Sequence, residues 1–235
     1  MSYESVGERL AEVRERVAQA ARRSGRGERD VTVVAVTKKL GLDAVLAAVE
    51  YGQMDFGENY VQEAVDKMRE LGQSTCGTGL RWHLLGRLQS NKAAVAARSF
   101  AVLHAVDSLS AVRTIARAAR EHGVAPEVFL EIKLGGDDQR GGVTPQSAEG
   151  FLREAVLAGP IQFGGLMAVA DPAIPARPQF AALRDLRDRL AGLDIPGALL
   201  AHLSMGMSGD FEDAIAEGAT VVRLGTVIFG KRPAR

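Results

Sequence analysis

The sequence is short of what several protein classes require. It has one cysteine, Cys76, in 235 residues. One thiol closes no internal disulfide and rules out zinc-finger and iron–sulfur arrangements. Aromatic residues make up 5% of the chain, which leaves little for stacking platforms on single-stranded nucleic acid. Neither sign of charge is in excess: 29 Lys+Arg against 29 Asp+Glu give a formal net charge of zero. Attraction to nucleic acid or to an anionic membrane is therefore not the expected task. No run reaches the roughly 18 apolar residues of a membrane span. The stretch 1–16 is charged and carries no signal-like apolar segment, so a cytoplasmic protein is expected. Four histidines (His83, His104, His122 and His202) are dispersed without an H-E-x-x-H pair, and no metal site is expected.

What is present suits a globular domain. Hydrophobic residues make up 46% and charged residues 25%, so the chain can bury a sizeable core. Its length suits one domain, expected over 1–235. Glycine is the excess: 26 residues exceed the usual share of about 7%, and without a G-X-Y period they must be read by position.

The segment 2–24 reads as a helix, with Val6, Leu10, Val13 and Val17 at helical spacing. The β-branched run 31–36 then reads as a buried strand. Helical stretches at 42–51, 60–71, 90–97, 108–122, 145–158, 176–190 and 210–217 alternate with strands at 54–56, 81–85, 100–106, 127–134, 161–169, 199–203 and 220–224. Strand–helix alternation means parallel strands with helical crossovers. Eight such units predict a closed α/β (β/α)₈ TIM barrel preceded by an extra N-terminal helix. An open doubly wound sheet is the second reading.

In a barrel the chemistry lies at the C-terminal ends of the strands. Lys38 follows the first strand. A lysine held in the barrel mouth loses hydration, which lowers its pKa and frees its amine as a nucleophile for a carbonyl. Position alone favours a solvated lysine at a strand end. Ser204 ends the seventh strand, and Arg223, Gly225 and Thr226 end the eighth. A hydroxyl, an arginine and exposed N–H groups there suit a phosphate, while Gly, Ser and Thr also serve ordinary turns and caps. The run from Gly225 to Lys231 has P-loop spacing, but Arg232 stands where Ser or Thr is needed. Asp137 and Asp138 read as a solvated turn in the loop 135–142, which also carries Arg140. His83 reads equally as a core or a site residue.

Together these stretches resemble the YggS/PROSC family of pyridoxal phosphate homeostasis proteins. The resemblance runs from about Val31 to Gly230. It rests on Phe56-Gly57-Glu58-Asn59-Tyr60-Val61-Gln62-Glu63, Trp82-His83, Leu88-Gln89-Ser90-Asn91-Lys92, Gly165-Leu166-Met167, Leu203-Ser204-Met205-Gly206-Met207-Ser208, and Arg223-Leu224-Gly225-Thr226 with Ile228-Phe229-Gly230. Each is weak alone, and their joint order and spacing are specific. The resemblance implies a fold-type III barrel like the N-terminal domain of alanine racemase, with pyridoxal 5'-phosphate (PLP) as cofactor. It implies that Lys38 forms the internal aldimine, that Asn59 lines the ring, that Ser204, Gly225 and Thr226 bind the phosphate, and that Arg223 faces the pyridine nitrogen. A cation at that nitrogen disfavours its protonation and weakens the ring as an electron sink.

Two departures stand out. The family usually reads S-K-T-K-P around the lysine, where this chain has Thr37-Lys38-Lys39-Leu40-Gly41; Lys39, as a strand neighbour, is expected to point to the opposite side. Arg87 replaces the usual proline after Gly86.

The resemblance implies a carrier or buffer of PLP in intracellular PLP homeostasis, without catalytic turnover and so without catalytic residues. Small-molecule cofactor binding is expected, with PLP-dependent apoenzymes as partners and a monomeric state. The alternative is an amino-acid racemase, which needs a base on each face. In alanine racemases the second base is a tyrosine from a further domain of the partner subunit. Here Tyr3, Tyr51 and Tyr60 are the tyrosines, none with a claim to that role, and no such domain is expected after the barrel. A barrel enzyme acting on a phosphorylated metabolite without PLP is the third reading.

Overall fold

The alternation read from the sequence closes into a ring. The structure is a computed structural model describing residues 3, 5–72, 79–135 and 141–231. Cys76, Asp137, Asp138, Arg140 and Arg232 lie outside the described residues. The elements in order are α1 (Val6–Arg23), β1 (Thr32–Val36), α2 (Leu42–Val49), β2 (Asp55–Glu58), α3 (Val61–Gly72), β3 (Arg81–Leu84), α4 (Ala93–Ser99), β4 (Val102–Val106), α5 (Leu109–His122), β5 (Glu127–Glu131), α6 (Ala148–Ala155), β6 (Gln162–Met167), α7 (Ala176–Ala191), β7 (Ala198–Ser204), α8 (Phe211–Ala216), β8 (Val221–Leu224) and α9 (Thr226–Phe229). Boundaries differ from the sequence reading by a few residues because strand ends run into loops with the same apolar composition.

All eight strands are parallel and form a closed barrel in sequence order. β1 pairs with β2 on one side and with β8 on the other, which excludes the open-sheet alternative and leaves no strand edge exposed. α1 packs against α2, α8 and α9. Its apolar stripe, Val6, Leu10, Val13 and Val17, is buried, as an amphipathic helix docked by one face requires. α5 shows how polar residues set an element's start: the Ser108 side chain accepts a hydrogen bond from the Ala111 N–H, satisfying a donor the helix cannot.

Strand parity divides the core in two. Ala35, Phe56, Trp82, Leu84, Leu103, Val128 and Leu130 belong to the large cluster shared with the helices. Val34, Val102, Phe129, Met167 and Val221, one step out of phase along their strands, cluster separately. Residues on strands across the ring from each other can touch only inside it, so this second set fills the barrel interior. Register carries polar residues into the same space. Arg223 pairs with Val34, His83 with Val102, Ser204 with Met167, and Glu131 with Met167. The interior therefore holds a polar column amid a small apolar set.

Close strand contact depends on a glycine in β6. A Cβ on Gly165 would stand 2.1 Å from the His202 carbonyl oxygen, a backbone atom that cannot swing away. At neighbouring Gly164 the nearest clash is with the flexible Glu127 carboxyl. Gly165→Ala should lower stability by about 1–3 kcal/mol in urea unfolding, and Gly164→Ala by clearly less.

Candidate functional site

The C-terminal ends of β1, β2, β3, β6, β7 and β8 surround a cavity of about 340 Å³. Its charged and polar lining is Lys38, Asn59, Ser208, Arg223 and Thr226, with the backbone of Gly209 and Gly225. Leu85, Met167, Val169 and Met207 supply the apolar wall. Of the residues singled out from the sequence, Lys38, Asn59, Arg223, Gly225 and Thr226 come together here. Ser204 does not line the cavity. It is fully buried, beneath Arg223 and bonded to it. Ser208, in the same Ser-Met-Gly-Met-Ser run, lines the cavity instead, and its Oγ accepts from the Gly225 N–H at 3.4 Å. Both serines stand in the motif, and nothing in the linear pattern says which turns outward.

Lys38 is half-buried and follows β1 in a turn closed by the Leu40 N–H to the Thr37 carbonyl at 3.0 Å. Lys39 is not a strand residue, contrary to the sequence expectation. It takes a left-handed φ of 61° and is exposed. The turn, not strand alternation, separates the two lysines. A buried ammonium holds this turn. Lys67 Nζ donates to the Thr37 carbonyl at 2.9 Å, to Glu58 Oε1 at 2.6 Å and to Glu63 Oε1 at 2.9 Å. Three donors thus meet three acceptors, all an ammonium can offer. Thr37 Oγ1 adds a bond to Glu58 at 2.8 Å, and Glu63 also accepts the Lys39 N–H at 2.6 Å. Burial nonetheless raises the Glu58 pKa, against the opposing bonds from Lys67 and Thr37. The sequence reading missed this network. Its available signal was Glu63 and Lys67 at i, i+4 on a predicted helix.

Gly86 lets the loops after β2 and β3 pass. A Cβ there would stand 2.1 Å from the Asn59 carbonyl oxygen, so Asn59 keeps its place only beside glycine. Next to it, Arg87 pairs with Asp107 at 3.3 Å, and Asp107 also accepts the Gly142 N–H at 3.1 Å. Arg87 thus joins the loops after β3, β4 and β5.

Arg223 is the buried cation of the site. Nη1 donates to Ser204 Oγ at 2.8 Å and Nη2 to the Ala168 carbonyl at 3.0 Å. Burial lowers its pKa to about 10, opposed by Asp210 and Glu131, so it remains a cation at neutral pH. Glu131 lies in the interior with one carboxylate oxygen unbonded among the described residues. Burial, then the Asp107 charge, raises its pKa to about 7, while Arg223 and Arg87 oppose the shift. A larger cavity of about 440 Å³ lies at the opposite, N-terminal mouth, with Arg81, Glu127 and His202 in its wall; it is far from the strand ends that carry Lys38 and Thr226. No group of three or more His, Cys, Asp or Glu among the described residues could hold a metal ion. No helix is long and apolar enough to cross a membrane.

Fold and lining define a small-molecule-binding (β/α)₈ barrel with an amine, a guanidinium and a hydroxyl-rich end. The family model for the alanine racemase N-terminal domain matches residues 9–233. The chain is 39% identical over 230 residues to the pyridoxal phosphate homeostasis protein of Pseudomonas aeruginosa, covering 97% of this chain and 96% of that one. It is 36% identical over 228 residues to that of Escherichia coli K12, covering 97% of each. PipY of Synechococcus elongatus, solved with PLP bound, superposes with a TM-score of 0.84 at 36% identity, over 96% of this chain and all of that one. The chain belongs to the alanine racemase N-terminal domain family and, within it, to the pyridoxal phosphate homeostasis proteins.

Two stability measurements check these assignments. Lys67→Met leaves Glu58 buried without its cation and should cost about 3 kcal/mol or more at neutral pH. The loss should shrink in acid, where Glu58 takes up a proton. Glu131 has a folded pKa above its ordinary value, so its contribution is full in acid and fades as pH rises through about 7. Glu131→Gln should therefore gain on the wild type by on the order of 2 kcal/mol between about pH 5 and about pH 8 in urea titrations.

Proposed function

We propose that the cavity between Lys38 and Thr226 holds PLP, and that the chain is an intracellular, cytoplasmic carrier or buffer of this cofactor, acting as a monomeric single-domain barrel without catalytic turnover. The observation that carries the reading is the convergence of Lys38, Asn59, Arg223, Gly225 and Thr226 on one cavity. The donor set fits the group. The hydroxyls of Ser208 and Thr226, on the loop after β7 and at the start of α9, suit a phosphate. Leu85, Met167 and the Asn59 side suit a flat ring. PLP, when bound, supplies an aldehyde that a primary amine captures reversibly. Lys38 presents that amine from a turn held by Lys67, Glu58 and Glu63.

Arg223 is the residue proposed to face the pyridine nitrogen. Its charge disfavours a second positive charge beside it, which works against the electron withdrawal that PLP enzymes use for turnover. Such a site gives poor support to quinonoid-heavy chemistry such as transamination, which favours the carrier reading. PLP-dependent apoenzymes are the proposed recipients. The presence of PLP in PipY and the names of the relatives support the reading.

Loading the purified protein with PLP, reducing with borohydride and mapping peptides should place the added mass on the peptide bearing Lys38. The Lys38→Ala protein should lose the reducible visible band. A variant that keeps the band, with the label elsewhere, would overturn the assignment.

A further inference from the structure

The barrel interior carries a chain of hydrogen bonds from one mouth toward the other. Arg223 Nη1 meets Ser204 Oγ at 2.8 Å, Ser204 Oγ meets His104 Nδ1 at 2.8 Å, His104 Nε2 meets His83 Nδ1 at 2.9 Å, and His83 Nε2 meets Asp55 Oδ1 at 2.9 Å. Ser204, His104 and His83 are buried, while the Asp55 carboxyl, at the N-terminal end of β2, is 23% exposed. Phe129 stacks on His104 at 4.7 Å and 11° and fixes its ring plane.

We infer that this chain runs in one direction, from Arg223 to Asp55, and that His104, His83 and Asp55 are positioning residues for Arg223. The ends dictate the direction. A guanidinium only donates and a carboxylate only accepts. Arg223 donates to Ser204, which still has its own hydrogen to place, and His104 Nδ1 is the acceptor within reach at 2.8 Å. A neutral His104 then carries its hydrogen on Nε2 and gives it to His83 Nδ1. His83 likewise carries its hydrogen on Nε2 and gives it to Asp55. Every bond is made with one hydrogen on each imidazole, in both cases on Nε2. The reverse direction would set the bare His83 Nε2 against the carboxylate unless a further proton entered, and it would take the Ser204 hydrogen away from His104. Burial above all, and with it the Arg223 charge, push the His104 pKa well below its usual value, so a second hydrogen on that ring is disfavoured.

The result is a polarised bridge. Each bond turns its negative end toward Arg223 and its positive end toward Asp55, which stabilises the buried cation and, with the Ala168 carbonyl, holds its plane. The inference about the cofactor rests on the reading of the cavity as a PLP site; the tautomers do not.

Two measurements separate these claims. Long-range ¹⁵N–¹H correlation spectra of the PLP-free, histidine-labelled protein should show Nε2–H tautomers for His83 and His104. An Nδ1–H signal on either ring would overturn the direction. In the PLP-loaded protein, His104→Leu should displace the visible band and weaken PLP retention about fivefold, whereas His104→Asn, whose carbonyl can take the place of Nδ1 toward Ser204, should restore both. A folded His104→Leu protein with the wild-type spectrum and affinity would overturn the positioning role. A wild type that retains no PLP would sink the cavity reading and the positioning of Arg223 for it, and the tautomer spectrum would then decide the chain's direction alone.

Discussion

Closure of β1 onto β8 is the constraint on which the rest depends. Four register pairs, Thr32 with Val221 through Ala35 with Leu224, join the first strand to the last. Lys38 follows β1 and Gly225 with Thr226 follows β8, so the cavity exists only when the two ends of the chain meet. The pairing of Val34 with Arg223 also turns the arginine into the barrel. Such long-range contacts cost loop entropy before they return energy. The apolar surface buried between barrel and helices offsets that cost, and the site forms as a consequence of it.

Buried space is a poor place for charge, and this fold buries several ionisable groups, Lys67 between the barrel wall and α3 and Arg223 and Glu131 inside the ring. Each is compensated differently. Lys67 spends all three of its donors on acceptors from β2, α3 and the turn after β1. Arg223 is held by a serine and a carbonyl, with carboxylates farther off. Glu131 has less compensation and is pushed toward neutrality. The first two arrangements serve one end: one fixes the turn that carries Lys38, the other the guanidinium that shares its cavity. Partnered buried charges give little stability in themselves, and what they contribute here is position.

Most of the architecture was legible in the sequence. Eight apolar strand runs separated by amphipathic stretches read as a (β/α)₈ barrel, and the polar, glycine-rich strand ends lie at the mouth that holds the Lys38 cavity. Boundaries were less legible, as in β5, where 127–134 was read as strand and Glu127–Glu131 is observed. A run of apolar residues looks the same whether it lies in a strand or in the loop that leaves it. The left-handed turn at Lys39 is not legible in the sequence, because such a turn has no reliable mark without glycine or asparagine. The Glu58–Lys67 pair is not legible in the sequence because a lysine on an amphipathic helix is normally solvated, and only packing against β2 removes its water.

By itself the sequence determined the fold class, the count of strands, the family and the set of residues at the strand ends. These depend on periodicity, on composition and on the order of short motifs, all of which are local. The tertiary structure alone decided which of Ser204 and Ser208 reaches the cavity, which histidines join in a chain, and where the buried charges find partners. Those outcomes depend on strand register and on closure of the ring. A shift of one residue in a strand exchanges inside for outside, and no local pattern in this sequence settles that choice for a serine, a histidine or an arginine.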